Sequence, residues 1–456
     1  MRLLNEYGTD YGIYYAGSIA THQDGYGLYS NFFDIKGPLY YGFLKLLSFF
    51  IAYGTKGAVI QLILTALFWI FSINLACRII TTDLNIRTVA SFASVALLIG
   101  QNSNSSMSLF QSGLIALSLA LLHKCLMTKN IFYYYLSITL SVLAFLVKID
   151  SFILIILILL IYLLYNKMQT FFHLLCGFIF SFFFCLISLF LLSNFLHFNF
   201  DDYFYQNIQF VFESRWGVGD SISKYGALGF IVRDYHSIIL LLASGVLFSL
   251  TIAYQNFSIG DLKDDPGIFF IIFGFASYIL IKSDKDYHLF VLYSSLLVAL
   301  ILRLVSDAAL YRIRIIIITL FFSASLVIVN LVIDSRCAFM NKITCVNGFA
   351  ELLQPSKEKD ELQRSFFLNQ GWPFIINGVL PKINFTVWWP LEVETKNSTR
   401  QIIDQANSSN FPIWVDYNDF IDLQKRNPLR VNEFMKGKEL IRNDLNSKWG
   451  QLVPIK

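Results

Sequence analysis

The chain has 456 residues, of which 56% are hydrophobic and 14% charged, and its net charge is +4. A soluble domain of this size would lack the polar surface that water requires, and Lys and Arg form no basic block of the kind that binds nucleic acid. The composition therefore predicts an integral membrane protein and excludes both a soluble enzyme and a nucleic-acid-binding protein.

The N-terminal segment, residues 1–56, precedes the first clear spanning helix. It contains two motifs, TDYGIYYAG from Thr9 to Gly17 and GYGLYSNFFDIKGPL from Gly25 to Leu39. The apolar stretch from Pro38 to Tyr53 is short, follows a glycine and includes Lys45. These features predict an interfacial helix that lies on the membrane rather than one that spans it.

Apolar segments next predict about ten spanning helices, several of them shorter than the ~20 residues that a bilayer core requires. Residues 57–333 thus form a predicted transmembrane domain. The predicted spans cover residues 57–80, 88–101, 107–125, 131–148, 151–166, 170–193, 236–254, 267–282, 287–305 and 312–333.

The distribution of Lys and Arg among the short turns predicts the topology. Because cytoplasmic turns carry an excess of these residues, residues 1–56, the loop 194–235 and the tail 334–456 are all expected outside. If the stretch from Pro38 to Tyr53 crossed the membrane, the number of spans would become eleven and the segment before it would be cytoplasmic. The loop 194–235 is too long for a plain connector and predicts either a lid over a site or a surface helix that covers lipid.

The tail, residues 334–456, changes to a polar composition that predicts a small α/β domain. A predicted helix from Thr399 to Ala406 lies between strand-like runs at Phe374 to Ile376 and at Phe411 to Tyr417. Cys337 and Cys345 lie on the predicted outer side, where redox conditions permit a disulfide. The sequence leaves open whether these two residues form one.

The two motifs of the N-terminal segment resemble the first extracytoplasmic loop of the GT-C glycosyltransferases. Asp10 precedes a Tyr-rich stretch that ends in small residues, and Phe32 to Leu39 reads FFDIKGPL. The protein-mannosyltransferase-like and lipid A aminoarabinose-transferase-like group has an early Asp and a segment of the type Tyr-x-Asp-Phe-x-Asp-x-Lys-x-Pro-Leu. The resemblance implies a GT-C-like, all-α polytopic membrane protein with a small C-terminal extracytoplasmic α/β domain.

Three departures from that family pattern limit the resemblance. Tyr11 stands where many members have Glu, and Asn31 stands where many have Asp. Members also have a spanning helix before the early Asp, so we expect a first helix to be missing from the start of this chain. Translocation of the N-terminus without such a helix is the alternative.

The resemblance further implies an enzyme that moves a sugar from a polyprenyl-phosphate donor to an acceptor on the outer face. Such a transfer requires a base for the acceptor hydroxyl and cations for the departing phosphate. Asp10 is the predicted general base of an inverting displacement. The alternative is that Asp10 only caps the N-terminus of the helix that follows it.

Two charged pairs are predicted to bind substrate. Asp34 and Lys36 belong to the second motif, and the alternative for them is a solvated loop of mixed charge. Lys148 and Asp150 interrupt an apolar run at the predicted outer face, and charges within spanning segments are functional by default. The alternative for this second pair is a tight turn between two helices.

A late outer turn supplies the remaining candidates for substrate binding. Lys282, Lys285, Tyr287 and His288 lie together in the sequence, and we expect Lys282 and His288 to contact the lipid phosphate. The alternative is a hydrophilic turn that only ends two helices. No metal ligand set is visible in the Cys and His spacing, and no cofactor is expected.

The sequence thus predicts a multi-pass protein of the bacterial inner or plasma membrane whose site and C-terminal domain are extracytoplasmic. Its expected partners are a polyprenyl-phosphate sugar donor, a lipid, polysaccharide or protein acceptor, and membrane lipids. Two other functions compete with glycosyl transfer. A flippase for lipid-linked sugars would show charged or broken mid-membrane segments, which are scarce here, and a surface-polysaccharide polymerase or ligase would place its main residues in a large late outer loop.

Overall fold

The structure is a computed structural model, and the residues that it describes are mostly helical. The chain divides into two compact units, one comprising Met1–Leu62, Phe190–Lys224 and Met340–Lys456 and the other Ile63–Leu189 and Tyr225–Phe339. The described residues are 8–30, 32–34, 36–100, 106–165, 170–209, 266–281, 289–306, 316, 319, 366–367, 385–386, 413–426, 428–442 and 449–455.

The first unit begins with helix α1 (Gly8–Ala20), the short strand β1 (Phe32–Phe33), helix α2 (Pro38–Ser48) and the start of α3 (Thr55–Ile80). Pro38 occupies the first turn of α2, where its fixed backbone angle favours the helix and its missing N–H does no harm. The predicted helix at residues 38–53 is therefore present, although it ends five residues early at Ser48.

Tyrosine side chains fill the interior of this N-terminal segment. The ring of Tyr15 stacks on those of Tyr11 and Tyr53, with centroids 5.9 and 5.5 Å away. The hydroxyl of Tyr11 donates to the carbonyl of Ala58 at 2.7 Å, which joins α1 to the first turn of α3. The Tyr-rich pattern of the sequence thus packs as a local core rather than as a lipid-facing surface.

The helices of the apolar region match the predicted spans where the chain is described. Residues 236–254 lie outside the described part, as does 312–333 apart from Ile316 and Thr319, so the count of about ten spans stays a prediction. The matching helices are α3, α4 (Leu84–Gly100), α5 (Ser106–Thr128), α6 (Ile131–Val147), α7 (Phe152–Tyr165), α8 (Thr170–Leu196), α10 (Pro266–Ile281) and α11 (Leu289–Ser306).

Among the described residues, three helices are long and apolar enough to cross a membrane: Thr55–Ile80, Ser106–Thr128 and Phe172–Leu196. The last of them exposes large aromatic and aliphatic side chains along its length, including Phe172, Phe183 and Leu191. A continuous exposed apolar surface of this kind requires an apolar solvent. The protein is therefore a membrane protein.

Helix α5 is the buried centre of the second unit, and small polar residues allow its neighbours to approach. The hydroxyls of Ser118 and Ser137 each donate to the other residue's carbonyl, at 2.9 and 2.8 Å, which links α5 to α6. A Cβ on Gly113 would lie 2.9 Å from the hydroxyl of Ser72, so α3 and α5 approach closely there. Small residues and interhelical hydrogen bonds are the usual means of packing helices within lipid.

The tail forms a four-stranded mixed sheet in the order β2 (Phe366–Phe367), β4 (Ile413–Asp416), β6 (Trp449–Pro454) and β5 (Lys438–Arg442). Strand β2 is parallel to β4, and the other pairs are antiparallel. Helices α12 (Tyr417–Arg426) and α13 (Pro428–Phe434) follow β4 and bury Phe420 and Phe434 against it.

The sheet agrees in part with the sequence analysis of the tail. Strand β4 lies within the predicted strand-like run at Phe411 to Tyr417. The predicted helix from Thr399 to Ala406, the run at Phe374 to Ile376 and the pair Cys337 and Cys345 lie outside the described residues.

A second, two-stranded sheet joins the tail to the N-terminal segment. Strand β1 pairs in parallel with β3 (Phe385–Thr386), with Phe32 opposite Phe385. Because β1 directly precedes Asp34, this pairing fixes the backbone on one side of a candidate site residue.

The C-terminal end of α8 is docked onto the same segment by hydrogen bonds to its last carbonyls. The N–H of Leu28 donates to the carbonyl of Leu196 at 3.0 Å. The buried ammonium of Lys45, on α2, donates to the carbonyls of Phe195 at 2.6 Å and Thr21 at 2.9 Å. Lys45 thus binds the negative ends of α8 and α1 together, where a cation is favoured by both helix dipoles.

We expect Gly27→Ala to destabilise this docking. A Cβ at Gly27 would lie 2.0 Å from the carbonyl oxygen of His197, so the backbone must move, with a loss of about 1–3 kcal/mol as for other overpacked positions. Thermal unfolding of the purified protein in detergent measures the effect. Gly25→Asn is the matched control, because Gly25 has a φ of +78° and open space around it and Asn tolerates that conformation. Equal stability of both variants would contradict the close contact.

Lys45→Met should lower stability by about 2–4 kcal/mol, because it leaves two helix-end carbonyls buried without their donor. Burial lowers the pKa of Lys45 from 10.5 to about 8. The unfolded chain therefore binds this proton more tightly, and stability should rise with pH between about 8 and 10 in the wild type. That rise should be smaller in Lys45→Met, whereas the exposed control Lys56→Met should behave as the wild type. The measurement is the apparent Tm in detergent across this pH range.

Candidate functional site

Asp34 is the central residue of the first candidate cluster. It directly follows β1 and its side chain is only 3% exposed. The hydroxyl of Tyr41, one turn into α2, donates to the Asp34 carboxylate. The backbone N–H of Asp34 donates to Oε1 of Gln206 at 3.0 Å. Both the carboxylate and the backbone of Asp34 are therefore held in place.

The beginning of the loop 194–235 supplies the other wall of this cluster. After α9 (Phe200–Phe204) comes a π-helical turn, Tyr205–Gln209, in which Gln206 also donates from Nε2 to the carbonyl of Tyr29 at 2.7 Å. The hydroxyl of Ser30 donates to the carboxylate of Asp202 at 2.8 Å. Residues 200–209 thus lie on the N-terminal segment and contact it with polar side chains.

The contacts of residues 200–209 fit both predictions for this loop, the lid over a site and the surface helix that covers lipid. The part of the loop from residue 210 to 235 lies outside the described residues, so its role stays a prediction.

The protonation of the tyrosines follows from burial. The pKa of Tyr41 is raised well above its ordinary value of 10.0 by desolvation and by the nearby Asp34 carboxylate. The pKa of Tyr29 is raised for the same reasons, with Tyr203 adding to the shift. Both phenols therefore stay protonated at neutral pH and act as donors, Tyr41 to the carboxylate and Tyr29 to the carbonyl of Lys36.

Lys36 is also buried, with only 8% of its side chain exposed. A solvated loop of mixed charge would leave Asp34 and Lys36 in water, so that alternative is wrong. Burial of a carboxylate and an amine two residues apart is expensive unless both are paired. Their position in the packed interior supports the prediction that they belong to a site.

Asp10, the predicted base, lies within α1, because that helix includes Gly8 and Thr9. The residues before Gly8 and the side chain of Asp10 lie outside the described part. The role of Asp10 as base and the alternative that it only caps the helix therefore both stay predictions.

The second candidate cluster lies in the other unit, where α6 ends and α7 begins. Lys148 follows the last residue of α6 and a single 3₁₀ turn, Ile149–Ser151, leads into α7. The side chain of Lys148 is 5% exposed and its ammonium donates to the hydroxyl of Ser108 at 3.1 Å. The two charges therefore mark a turn, as the alternative stated, but the amine points into the protein rather than into solvent.

Gln111 completes this cluster and was not singled out from the sequence. Its Nε2 donates to the carboxylate of Asp150 and to the hydroxyl of Ser151, both at 2.6 Å. The sequence signal that could have identified Gln111 is its spacing from Ser108. These two polar residues lie three positions apart on an apolar helix, so they share one face of α5.

The late turn with Lys282, Lys285, Tyr287 and His288 lies outside the described residues, and its predicted role is unchanged by the structure. Among the described residues, no group of three or more His, Cys, Asp or Glu side chains could hold a metal ion. The expectation that no metal is needed stays a prediction.

The described residues supply charged and polar groups in two clusters. One cluster offers a fixed carboxylate, and the other offers a buried ammonium beside a carboxylate and an amide. The sequence-based hypothesis that all these groups serve one site stays a prediction.

Sequence comparison gives no relative, since no protein-family model and no curated protein matches the chain. Structure comparison does. The fold is similar to that of ArnT from Cupriavidus metallidurans, in one crystal structure bound to undecaprenyl phosphate and in another in the apo state. Each ArnT structure matches with a TM-score of 0.57, and the match covers 98% of this chain and 93% of the ArnT chain. The sequence identity is 11% for the complex with undecaprenyl phosphate and 9% for the apo state.

An oligosaccharyltransferase from Archaeoglobus fulgidus, tethered with an acceptor peptide, covers 98% of this chain and 70% of its own at a TM-score of 0.44 and 10% identity. The likeness to ArnT confirms, at the level of the fold, the GT-C resemblance that the N-terminal motifs carry. The chain is a membrane protein with the fold of ArnT.

Proposed function

We propose that the protein is a membrane glycosyltransferase that moves a sugar from a polyprenyl-phosphate donor to a lipid, polysaccharide or protein acceptor on the outer face of a bacterial inner or plasma membrane. The observation that carries the proposal is the ArnT fold over 98% of the chain, together with the burial of Asp34 and Lys36 in the motif that resembles the first loop of that family. ArnT was crystallised with undecaprenyl phosphate, which supports a lipid phosphate as the donor carrier.

The proposed reaction is an inverting single displacement. The acceptor hydroxyl attacks the anomeric carbon of the donor sugar while the bond from that carbon to the phosphate oxygen breaks. The electron pair of this bond remains on the polyprenyl phosphate, which leaves, and Asp10 takes the proton of the acceptor hydroxyl. Cations stabilise the negative charge on the leaving phosphate.

The named side chains have distinct proposed roles. Asp10 is the base, and Asp34 with Lys36 binds substrate next to it on the N-terminal segment. Lys148 and Asp150 bind substrate at the α6–α7 turn. Lys282, Lys285, Tyr287 and His288 complete the proposed substrate-binding set, in which Lys282 and His288 contact the lipid phosphate.

Asp10→Asn should reduce transfer by at least about 100-fold, the lower end of the range for loss of a general base. The neutral amide cannot take the acceptor proton, whereas the folded state should persist. The assay is complementation of a gene deletion, read by mass spectrometry of surface glycans and lipid-linked sugars. Gel filtration and Tm of the purified variant check folding.

Asp24→Asn is the matched control for this experiment, because Asp24 is an exposed carboxylate of the same segment. It should leave transfer unchanged. Full activity of Asp10→Asn would exclude Asp10 as the base. A glycan profile that does not change when the whole gene is deleted would exclude the transferase itself, and accumulation of donor on the inner face alone would favour a flippase.

Tyr41→Phe should lower the transfer rate about 10-fold or more, because it removes the donor that orients the Asp34 carboxylate. The expected signature is a loss in kcat/KM with no loss of folded protein. Tyr26→Phe is the control, since the Tyr26 hydroxyl is also buried in this segment but has no hydrogen-bond partner among the described residues. If the two variants had the same rate as the wild type, the Asp34–Tyr41 pair would have no part in the reaction.

A further inference from the structure

The carboxamide of Gln111 has a fixed orientation within the second cluster. Gln111 lies in the second turn of α5 and is fully buried. Both of its described contacts run from Nε2, to the Asp150 carboxylate and the Ser151 hydroxyl. Because a carboxylate accepts hydrogen bonds and an amide oxygen cannot donate them, the nitrogen must face Asp150 and the oxygen must face away from it.

That oxygen, Oε1 of Gln111, has no hydrogen-bond partner among the described residues. A buried acceptor without a donor is destabilising, and such exceptions in native structures call for an explanation, a missing bound group being one. Asp150 is only half-buried, so the cluster reaches the protein surface at that residue, on the side away from this oxygen. Oε1 of Gln111 is thus an unused acceptor in the interior of the cluster, and a donor for it would come with a bound group.

The chemistry of this donor is restricted. An amide oxygen accepts from O–H or N–H groups, whereas the oxygens of a phosphate diester have no proton to give. The phosphate has its own partner type nearby, because the ammonium of Lys148 contacts Ser108, one turn before Gln111 on the same helix. A ligand with an anionic phosphate next to a hydroxyl-bearing ring matches both groups, and a lipid-linked sugar phosphate has this composition.

We propose that Gln111 determines donor specificity by accepting a hydrogen bond from a hydroxyl of the sugar on the lipid phosphate. The inference rests on the proposed function and deepens it, since it separates recognition of the sugar from recognition of the phosphate. A site with a buried acceptor for a substrate hydroxyl discriminates strongly against an analogue that lacks this hydroxyl.

The test is a binding measurement on the full-length protein in lipid nanodiscs. The probes are undecaprenyl phosphate, undecaprenyl-phosphate glucose and mannose, and the monodeoxy forms of both sugars. Gln111→Leu should weaken binding of at least one glycosylated lipid 10-fold or more, about 1.4 kcal/mol, and change that of undecaprenyl phosphate less than about 3-fold. Ser118→Ala, on the same helix with only a helix-packing role, should change neither.

A second comparison needs no stable Gln111→Leu protein. In the wild type, removal of one particular sugar hydroxyl should weaken binding about 10-fold, and Gln111→Met, which keeps the size of the side chain, should no longer distinguish that deoxy lipid from its parent. Such loss of discrimination would support a direct contact, because a merely structural role would not select one hydroxyl.

Three results would overturn the inference. One is an equal loss for undecaprenyl phosphate and the glycosylated lipids in Gln111→Leu, which would assign Gln111 to the phosphate or to the fold. Another is a wild-type protein that binds every monodeoxy lipid as tightly as its parent. The third is a wild type that binds undecaprenyl phosphate but no glycosylated lipid. If the wild-type protein bound none of the probes, that result would instead contradict the proposed function itself.

Discussion

A carboxylate buried beside a membrane must be given hydrogen-bond donors, and the arrangement of the N-terminal segment follows from that need at Asp34. An unpaired ionised carboxyl in an apolar interior costs many kcal/mol, far more than a domain can tolerate. The Tyr41 hydroxyl on α2 meets this need directly. The Gln206 amide holds the backbone of the same residue and of Tyr29, so the positions of β1, α2 and the turn after α9 are interdependent.

The same reasoning separates the two kinds of helix in this protein. Helix α8 exposes aromatic rings along its length, and its final carbonyls accept hydrogen bonds from Lys45 and Leu28. Helix α5 is buried and admits polar side chains in its interior, such as Ser118, which bonds to Ser137 of α6. Among the described residues, the exposed surface of α8 is mainly apolar, whereas polar side chains of α5 contact neighbouring protein segments.

Local features of the sequence predicted much of this structure. The apolar run at 107–125 corresponds to α5 at Ser106–Thr128, and Asp34 and Lys36, which the DIKGPL motif singled out, are both buried. The partners of these residues were not predictable in the same way. Asp34 and Gln206 are 172 residues apart in the chain, and a lone glutamine in a polar loop has no local signal.

Gln111 shows a second limit of sequence reasoning. Lys148 and Asp150 stand out because charges are rare in apolar runs, but an amide in an apolar helix is ordinary. Only the pairing of Gln111 with Asp150 reveals it as part of a cluster. The Tyr-rich sequence after Asp10 predicted a helix that begins after this residue, whereas the described helix already includes it.

The pairing of β1 with β3 has a consequence for biosynthesis. Phe32 and Phe33 are synthesised before the described apolar helices α3 to α11, and their partners Phe385 and Thr386 are synthesised after them. The strand that adjoins Asp34 therefore has no pairing partner until β3 has been made. A nascent chain that stops before β3 would lack this support, which delays assembly of the backbone next to Asp34 until after the apolar helices have been synthesised.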